Sequence, residues 1–217
     1  LGIMATSAGV INQPAAPKST AHVRHSGQRR SQTISLVVLL LALITVQTIV
    51  SSGLKTFIPL YYAKFGQLAP DWIALMLTTI ALTGAAGTLF GAVAAERIGR
   101  KMTIILASLI VIGALFAFFQ TTGWLQLLML GLTGFLLSVP WPLSVVMVQE
   151  AMPNNVGLAS GLTLGLAYGA SGLGIAALGW VGDLFGLQTT MNIVLWLPLA
   201  ALAISFFVPE RSARMEL

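Results

Sequence analysis

Cysteine is absent from this chain of 217 residues, and charged side chains make up only 8% of it. The lack of cysteine excludes a disulfide framework. The lack of charge excludes an ordinary soluble domain, in which about 25% of the residues are charged. With 57% hydrophobic residues and a mean hydropathy of +0.92, the composition indicates an integral membrane protein.

Histidine is almost as scarce, since His22 and His25 are the only two and both lie in a polar, basic segment. A Gly-x-Ser-Gly run at 169–172 resembles the nucleophile motif of rhomboid proteases, but such a serine needs a histidine base within hydrogen-bond reach. Neither histidine lies in an apolar run, so no enzyme is predicted. The two histidines could bind a metal if helical; a disordered basic tail is the favoured interpretation, and no metal site or cofactor is predicted.

Apolar runs long enough to cross a hydrocarbon core of about 30 Å recur along the chain. The predicted spans are residues 34–60, 72–95, 102–120, 124–148, 157–181 and 188–208. Residues 1–33 are predicted to be a flexible basic linker and residues 209–217 a short tail. The predicted fold is therefore an all-α integral membrane bundle of six transmembrane helices, and its first partner is the lipid bilayer.

The basic residues are distributed unevenly over this topology. Nine of the eleven lysines and arginines fall on the side shared by both termini and by the loops after the second and fourth spans. Because cytoplasmic loops carry an excess of basic residues, both termini are predicted to be cytoplasmic. Trp72, Trp124 and Trp180 then lie at the opposite interface, where an aromatic belt is expected. The net charge of +5 resides in loops and a tail, so no nucleic-acid binding is predicted.

The densest cluster of charge is the segment Gly91-Ala-Val-Ala-Ala-Glu-Arg-Ile-Gly-Arg-Lys101, between the second and third spans. So short a connection requires a glycine at its turn. The segment resembles the loop motif of the major facilitator superfamily, Gly-x-x-x-Asp-Arg-x-Gly-Arg-Lys. The matching residues are Arg97, Gly99, Arg100 and Lys101, while Glu96 replaces the usual aspartate and Ala92 stands where the family has glycine.

Two other segments carry the same resemblance. Residues 149–161 resemble the loop between the fourth and fifth helices of the family's C-terminal half, and Pro209-Glu-Arg211 resembles the end of its last helix. The combination of Gln149-Glu150, Pro153 and Gly157 through Gly161 resembles the fosmidomycin-resistance branch of drug efflux proteins.

The resemblance implies a secondary transporter of the inner cell membrane that works by alternating access. It implies export of a small organic compound in exchange for a coupling proton, with the loop of Glu96, Arg97, Gly99, Arg100 and Lys101 acting as a cytoplasmic gate. It also implies twelve helices in two halves. This chain would then be the C-terminal half, its partner would be an N-terminal six-helix half, and residues 1–33 would belong to the central loop.

A weak internal repeat accompanies the motif. The segment Gly179-Trp-Val-Gly-Asp-Leu-Phe-Gly186 places glycine, aspartate and glycine at the spacing of Ala92, Glu96 and Gly99. One copy ends the second span and the other ends the fifth span, on the opposite side of the membrane. Two inverted three-helix units would produce this pattern, and a chance match is the alternative.

Polar residues of the first span predict a substrate cavity. Gln47, Ser51 and Lys55 are spaced four apart and share one helical face. Lys55 is predicted to attract an anionic or polar substrate group, with snorkelling to the interface as the alternative. Pro140-Trp-Pro142 breaks the fourth span, and such backbone is tolerated only when it is buried or lines a cavity. The predicted cavity residues are Gln47, Ser51, Lys55, Trp141, Ser144 and Tyr168; for Trp141 simple helix packing is the alternative.

Small residues form two stripes in the predicted helices. Gly161, Gly165 and Gly169 recur at four-residue intervals in the fifth span, and the second span holds Gly84, Gly87 and Gly91. Such stripes allow close helix packing in a membrane. No aspartate or glutamate lies in mid-span, so a proton-carrying carboxylate is expected elsewhere in the protein. An importer of an organic anion and a non-transporting membrane protein are the alternatives to an exporter.

Overall fold

The described chain is almost entirely helical. The computed structural model describes residues 21–66 and 68–208, with side chains from residue 33 onward. Its helices are α1 (Ala21–Tyr61), α2 (Pro70–Ile98), α3 (Arg100–Gln120), α4 (Gly123–Ser138), α5 (Pro140–Ala151), α6 (Val156–Phe185) and α7 (Leu187–Phe207). A π-helical turn at Tyr62–Gly66 extends α1, and a 3₁₀ turn at Pro153–Asn155 precedes α6. No strand occurs in these two ranges.

Six helical segments are long and apolar enough to cross a membrane, which confirms the predicted fold class. They are Thr33–Gly66, Pro70–Ile98, Arg100–Gln120, Gly123–Ala151, Pro153–Phe185 and Leu187–Phe207. The fourth consists of α4 and α5 together. Each apolar run is helical because hydrocarbon offers no hydrogen-bond partners, so a spanning backbone must satisfy its own N–H and C=O groups.

The first helix begins earlier than predicted. The sequence predicts a flexible linker up to residue 33, whereas the backbone is helical from Ala21. No proline lies between Ala21 and Pro59, so nothing prevents the helix from extending beyond the apolar run. Residues 1–20 and the predicted tail 209–217 lie outside the described residues, as do the side chains of His22 and His25.

The helices pack around α1, which contacts α5, α6 and α7. α2 packs chiefly on α4, and α3 lies between α4 and α7. Buried apolar side chains form two clusters, one around residues 50–62 of α1 and the other around residues 36–43. Large apolar side chains also cover the outside, where Leu89 and Phe207 are 73% and 74% exposed. An apolar exterior is expected where the surrounding solvent is lipid.

Two turns of nearly equal backbone geometry relate the two parts of the bundle. Gly99 between α2 and α3 has φ 86° and ψ 149°, and Gly186 between α6 and α7 has φ 89° and ψ 151°. In each turn the glycine N–H donates to the carbonyl four residues earlier, Ala95 at 3.1 Å and Gly182 at 3.0 Å. α2 and α6 have 29 and 30 residues, and α3 and α7 have 21 each. The matching turns and helix lengths, in the second and fifth spans, are those that the predicted inverted repeat would produce.

The tightest contact in the bundle joins α2 to α4. An ideal Cβ at Gly87 would lie 2.1 Å from the carbonyl oxygen of Phe135, and one at Gly134 would lie 2.9 Å from that of Ile80. Only glycine permits two backbones to approach so closely. The small-residue stripe of α2 therefore packs as the sequence predicts.

Aromatic residues mark one end of the bundle, called here the Trp72 end. The rings of Trp72 and Trp124, at the starts of α2 and α4, meet edge to face at 5.1 Å. Nearby, the Gln126 amide nitrogen donates to the Tyr62 hydroxyl at 2.5 Å, and the Tyr62 ring lies 6.0 Å from that of Phe118. The opposite end, where α3 begins at Arg100, is called the Arg100 end.

Candidate functional site

A polar cavity of about 160 Å³ opens between α1, α2, α6 and the bend from α4 to α5. α1 contributes Gln47, Thr48, Ser51, Ser52 and Lys55, and the other helices contribute Thr88, Leu137, Ser138, Trp141 and Tyr168. Of the predicted cavity residues, the structure brings together Gln47, Ser51, Lys55, Trp141 and Tyr168. These residues are separated by up to 121 positions in sequence, so their meeting is a property of the fold.

The wall formed by α1 changes in character along its length. Gln47, Ser51 and Lys55 are one helical turn apart, so they extend over about 12 Å at 1.5 Å per residue. Gln47 is buried, Ser51 is half-buried and Lys55 is exposed. Thr48 lies beside them, and its hydroxyl donates to the carbonyl of Ile44 at 2.7 Å. An amide therefore lies deep in the cavity and an ammonium group at its mouth.

The wall opposite α1 is the bend between α4 and α5. α4 ends at Ser138 and α5 begins at Pro140, with Val139 between them. Pro140 and Pro142 have no N–H, so the helical hydrogen bonds that these positions ordinarily donate are missing. The Ser138 hydroxyl donates to the carbonyl of Gly134 at 2.9 Å. The predicted break at Pro-Trp-Pro is thus present, and Trp141 lines the cavity beside it.

Ser144 does not line this cavity, contrary to the prediction. It is fully buried, and its hydroxyl donates to the carbonyl of Pro140 at 2.9 Å. Ser144 follows Pro140 by one helical turn, so its side chain points back along α5. The sequence pattern predicts where Ser144 lies on its helix relative to the bend, but it does not predict which residues surround it.

Thr88 lines the cavity although the sequence does not single it out. Its hydroxyl donates to the carbonyl of Ala85 at 2.7 Å, as threonines in helices commonly do. The signal for this residue is its neighbour Gly87, which draws α2 against the backbone of α4. Thr88 is the next residue, and the close approach of α2 to α4 places it at the cavity wall.

The lining determines what the cavity can bind. It offers one amide, several hydroxyls, an ammonium group, an indole and a phenol, with no carboxylate among them. The ammonium group attracts anions, and the aromatic rings supply flat apolar surface with a polar edge. In the described part of the chain no three His, Cys, Asp or Glu side chains cluster as a metal site would require. The arrangement can hold a polar or anionic small molecule by non-covalent contacts.

Of the residues in the predicted gating loop, only Gly99 lies outside a helix, because α2 ends at Ile98 and α3 begins at Arg100. Arg100, at the start of α3, forms an ion pair with Glu150 at the end of α5 and so links the turn to the fourth span. Glu96 and Arg97 are exposed and Lys101 is half-buried; within the described residues none of them takes part in an ion pair. In this conformation the link from the turn to the fourth span is therefore made by Arg100.

A family model described as the Major Facilitator Superfamily matches residues 39–216, which is most of the chain. The chain belongs to the major facilitator superfamily. Proteins of this superfamily are membrane transporters and not enzymes, as the sequence predicts. The cavity and the Gly99 turn thus belong to a chain of this superfamily.

Two relatives from the superfamily resemble this chain over most of its length. An "Uncharacterized MFS-type transporter YfnC" of Bacillus subtilis (strain 168) is 35% identical over 145 residues, covering 66% of this chain and 34% of the relative. A "Fosmidomycin resistance protein" of Escherichia coli (strain K12) is 29% identical over 186 residues, covering 83% of this chain and 44% of the relative. The chain therefore spans less than half the length of either relative.

The glycine stripe of α6 differs from that of α2 in its contacts with other helices. An added Cβ at Gly161, Gly165 or Gly169 would meet nothing within 4 Å. The predicted packing of this stripe is therefore not made among the described residues. Tyr168 lies beside it and is 59% exposed. α6 thus packs one face on α1, where Gly174 meets Ile49, and the described residues leave Gly161, Gly165 and Gly169 uncovered.

Proposed function

We propose that the protein exports a small organic compound by alternating access, in exchange for protons. The observation that carries this proposal is the polar cavity, in which a lysine and an amide of α1 face Trp141 beside the α4–α5 bend. Irregular backbone within a span is characteristic of transporter binding sites. The name of the Escherichia coli relative, a resistance protein, supports export.

This chain would act as the C-terminal half of a twelve-helix transporter in the inner cell membrane. In favour of this, it covers only 34% and 44% of its two relatives, and α6 leaves a packing stripe uncovered. Both termini would be cytoplasmic, because nine of the eleven basic residues lie in the sequence segments predicted for that side of the membrane. An N-terminal half would then complete the cavity, with residues 1–33 as part of the central loop and residues 209–217 as a cytoplasmic tail.

The coupling proton requires a carboxylate that this part of the protein does not place in mid-membrane. Within the described residues the carboxylates are Asp71, Glu96, Glu150 and Asp183, and each lies in the first or last turn of a helix. We therefore assign the proton-carrying carboxylate to the N-terminal half. Glu96, Arg97 and Lys101 would contribute to a gate at the Arg100 end, forming contacts in one state that are released in the other.

The proposal is tested with the full-length protein in inside-out vesicles under a pH gradient, with fosmidomycin as the test compound. Lys55→Met removes the ammonium group at the mouth of the cavity. We expect the KM for an anionic compound to rise about tenfold, equivalent to about 1.4 kcal/mol of lost binding. The matched control is Lys64→Met, since Lys64 is exposed outside the cavity with its Nζ 5.6 Å from the Phe65 ring centre.

The outcomes separate the candidate functions. Unchanged kinetics for Lys55→Met would reduce Lys55 to an interfacial anchor. Accumulation in right-side-out vesicles instead of inside-out vesicles would identify an importer of an organic anion, which the position of Lys55 also permits. No flux in either orientation would point to a non-transporting membrane protein and overturn the proposal.

A further inference from the structure

A second, smaller void lies beside the polar cavity and deeper in the bundle. Its volume is about 10 Å³, and its walls include Gln47 of α1, Ser108 of α3, Leu136 and Pro140 at the α4–α5 bend, and Pro198 of α7. Four transmembrane segments therefore meet around a space the size of one small molecule.

Two polar side chains of this void have unmet hydrogen-bonding capacity. Gln47 and Ser108 are each 4% exposed, and within the described residues nothing hydrogen-bonds to Gln47 Oε1 or Ser108 Oγ. A buried polar group with no partner costs about 1–3 kcal/mol. Leu136 also lines the void, and the residue that would ordinarily donate a helical hydrogen bond to its carbonyl is Pro140, which has no N–H.

We propose that the void is a binding site for one ordered water molecule. The water donates to Gln47 Oε1 and to the carbonyl of Leu136, and it accepts a hydrogen bond from Ser108 Oγ. A water needs about 10–15 Å³ of such volume and two to four polar partners, and the void provides both. A void lined only by apolar groups would stay dry.

This water would connect three spans by hydrogen bonds at the bend, namely α1, α3 and the fourth span. It replaces the helical donor that Pro140 lacks and connects the bend to α1 and α3. Gln47 and Leu137 line both the void and the polar cavity, so the water lies directly behind the cavity wall. The inference concerns hydration of the bundle and does not rest on the proposed direction or substrate of transport.

The first test is a structure of the full-length protein at a resolution of about 2 Å, at which buried waters are visible. We expect a density peak within hydrogen-bond distance of both Gln47 Oε1 and Ser108 Oγ. A map that resolves other buried waters but has no peak here overturns the proposal. A direct Gln47–Ser108 hydrogen bond in that map also overturns it.

The second test uses Ser108→Ala, for which a hydrated and a dry void predict opposite signs. In a dry void the change removes an unsatisfied hydroxyl and raises the thermal unfolding midpoint. In a hydrated void the water loses a partner, and we expect the midpoint to fall by about 2 °C. The matched control is Ser205→Ala, because Ser205 is equally buried but its hydroxyl donates to Leu202 of its own helix at 2.6 Å. A midpoint that rises, or falls no more than the control, overturns the proposal.

Discussion

The glycine stripes of α2 and α6 have similar spacing and opposite surroundings. In α2, added Cβ atoms at Gly84, Gly87 and Gly91 would lie 2.8, 2.1 and 2.9 Å from atoms of the fourth span. In α6, added Cβ atoms at Gly161, Gly165 and Gly169 would meet nothing within 4 Å. The described residues pack against the first stripe and leave the second uncovered. Glycine spacing alone thus predicts a packing surface without identifying its partner.

The difference arises although the two helices occupy equivalent places along the chain. α2 and α6 each precede a single-glycine turn and a helix of 21 residues. The fourth span lies against the stripe of α2, whereas among the described residues nothing lies against Gly161, Gly165 and Gly169 of α6. A glycine costs about 1 kcal/mol relative to alanine inside a helix. That cost is offset in α2 by backbone contact, and in α6 a contact outside this chain would be needed.

The largest expected effect comes from Gly87→Ala. Its Cβ would lie 2.1 Å from a backbone oxygen, so α2 and α4 must separate along their whole contact. We expect a loss of about 3 kcal/mol in the free energy of unfolding, near the upper end for overpacked cores, and little folded protein. Size-exclusion profiles in detergent and the unfolding midpoint measure this.

The control for this prediction is Gly113→Ala in α3, where an added Cβ would meet nothing within 4 Å. Alanine is the better helix former, so the control should fold as well as the original protein or slightly better. If Gly87→Ala behaves like this control, the close contact between α2 and α4 is not a determinant of the fold.

A substitution in the uncovered glycine stripe of α6 should affect function and not the folding of the six-helix chain. We predict that Gly165→Leu leaves the unfolding midpoint of the six-helix chain unchanged, since nothing lies within 4 Å of its Cβ position. In the full-length protein, leucine would obstruct the packing of a second half, and we expect transport to fall about tenfold, or about 1.4 kcal/mol. Gly113→Leu provides the control on a helix without a stripe. Equal transport for both variants would mean that the α6 stripe faces lipid.

The sequence predicts the spans of this protein better than their contacts. Apolar runs define all six helical segments, because the thickness of the hydrocarbon core fixes the length that each must have. The predicted first span begins at residue 34, about three and a half turns after the start of α1 at Ala21, since hydropathy marks where a helix enters the membrane and not where the helix begins. The turn at Gly99 is predictable because a one-residue connection with φ 86° favours glycine.

The cavity is predictable only where polarity is unusual for a span. The polar face of α1 and the prolines of the fourth span stand out in an apolar sequence, so Lys55 and Trp141 are found from the sequence. Thr88 is missed because its place depends on the approach of α2 to α4. Ser144 is wrongly included because neighbouring helices bury it away from the cavity, with its hydroxyl bonded to the carbonyl of Pro140 at 2.9 Å. Both outcomes depend on how the helices pack against one another.

The two glycine turns, unlike the two stripes, have nearly the same backbone geometry and the same empty surroundings. Gly99 and Gly186 have φ of 86° and 89°, and at both an added Cβ would meet nothing within 4 Å. The cost of Gly99→Ala or Gly186→Ala is therefore conformational alone, and we expect about 1 kcal/mol of destabilisation for each, the lower end for a residue held in a sparsely populated backbone region. Unfolding midpoints of the two variants should agree. A clearly larger loss at Gly99 would show that the neighbouring ion pair depends on the turn.

The smallest expected effect concerns that ion pair, which has no described counterpart at the Gly186 turn. The side chains of Arg100 and Glu150 are 35% and 55% exposed, so water and salt screen their attraction. In a double-mutant cycle with Arg100→Gln and Glu150→Gln we expect a coupling of about 0.5 kcal/mol, falling as salt is raised. If the pair is part of a gate, the same variants should change the transport rate by more than this coupling accounts for. If transport changes only in proportion to the amount of folded protein, the pair is a structural link between α3 and α5.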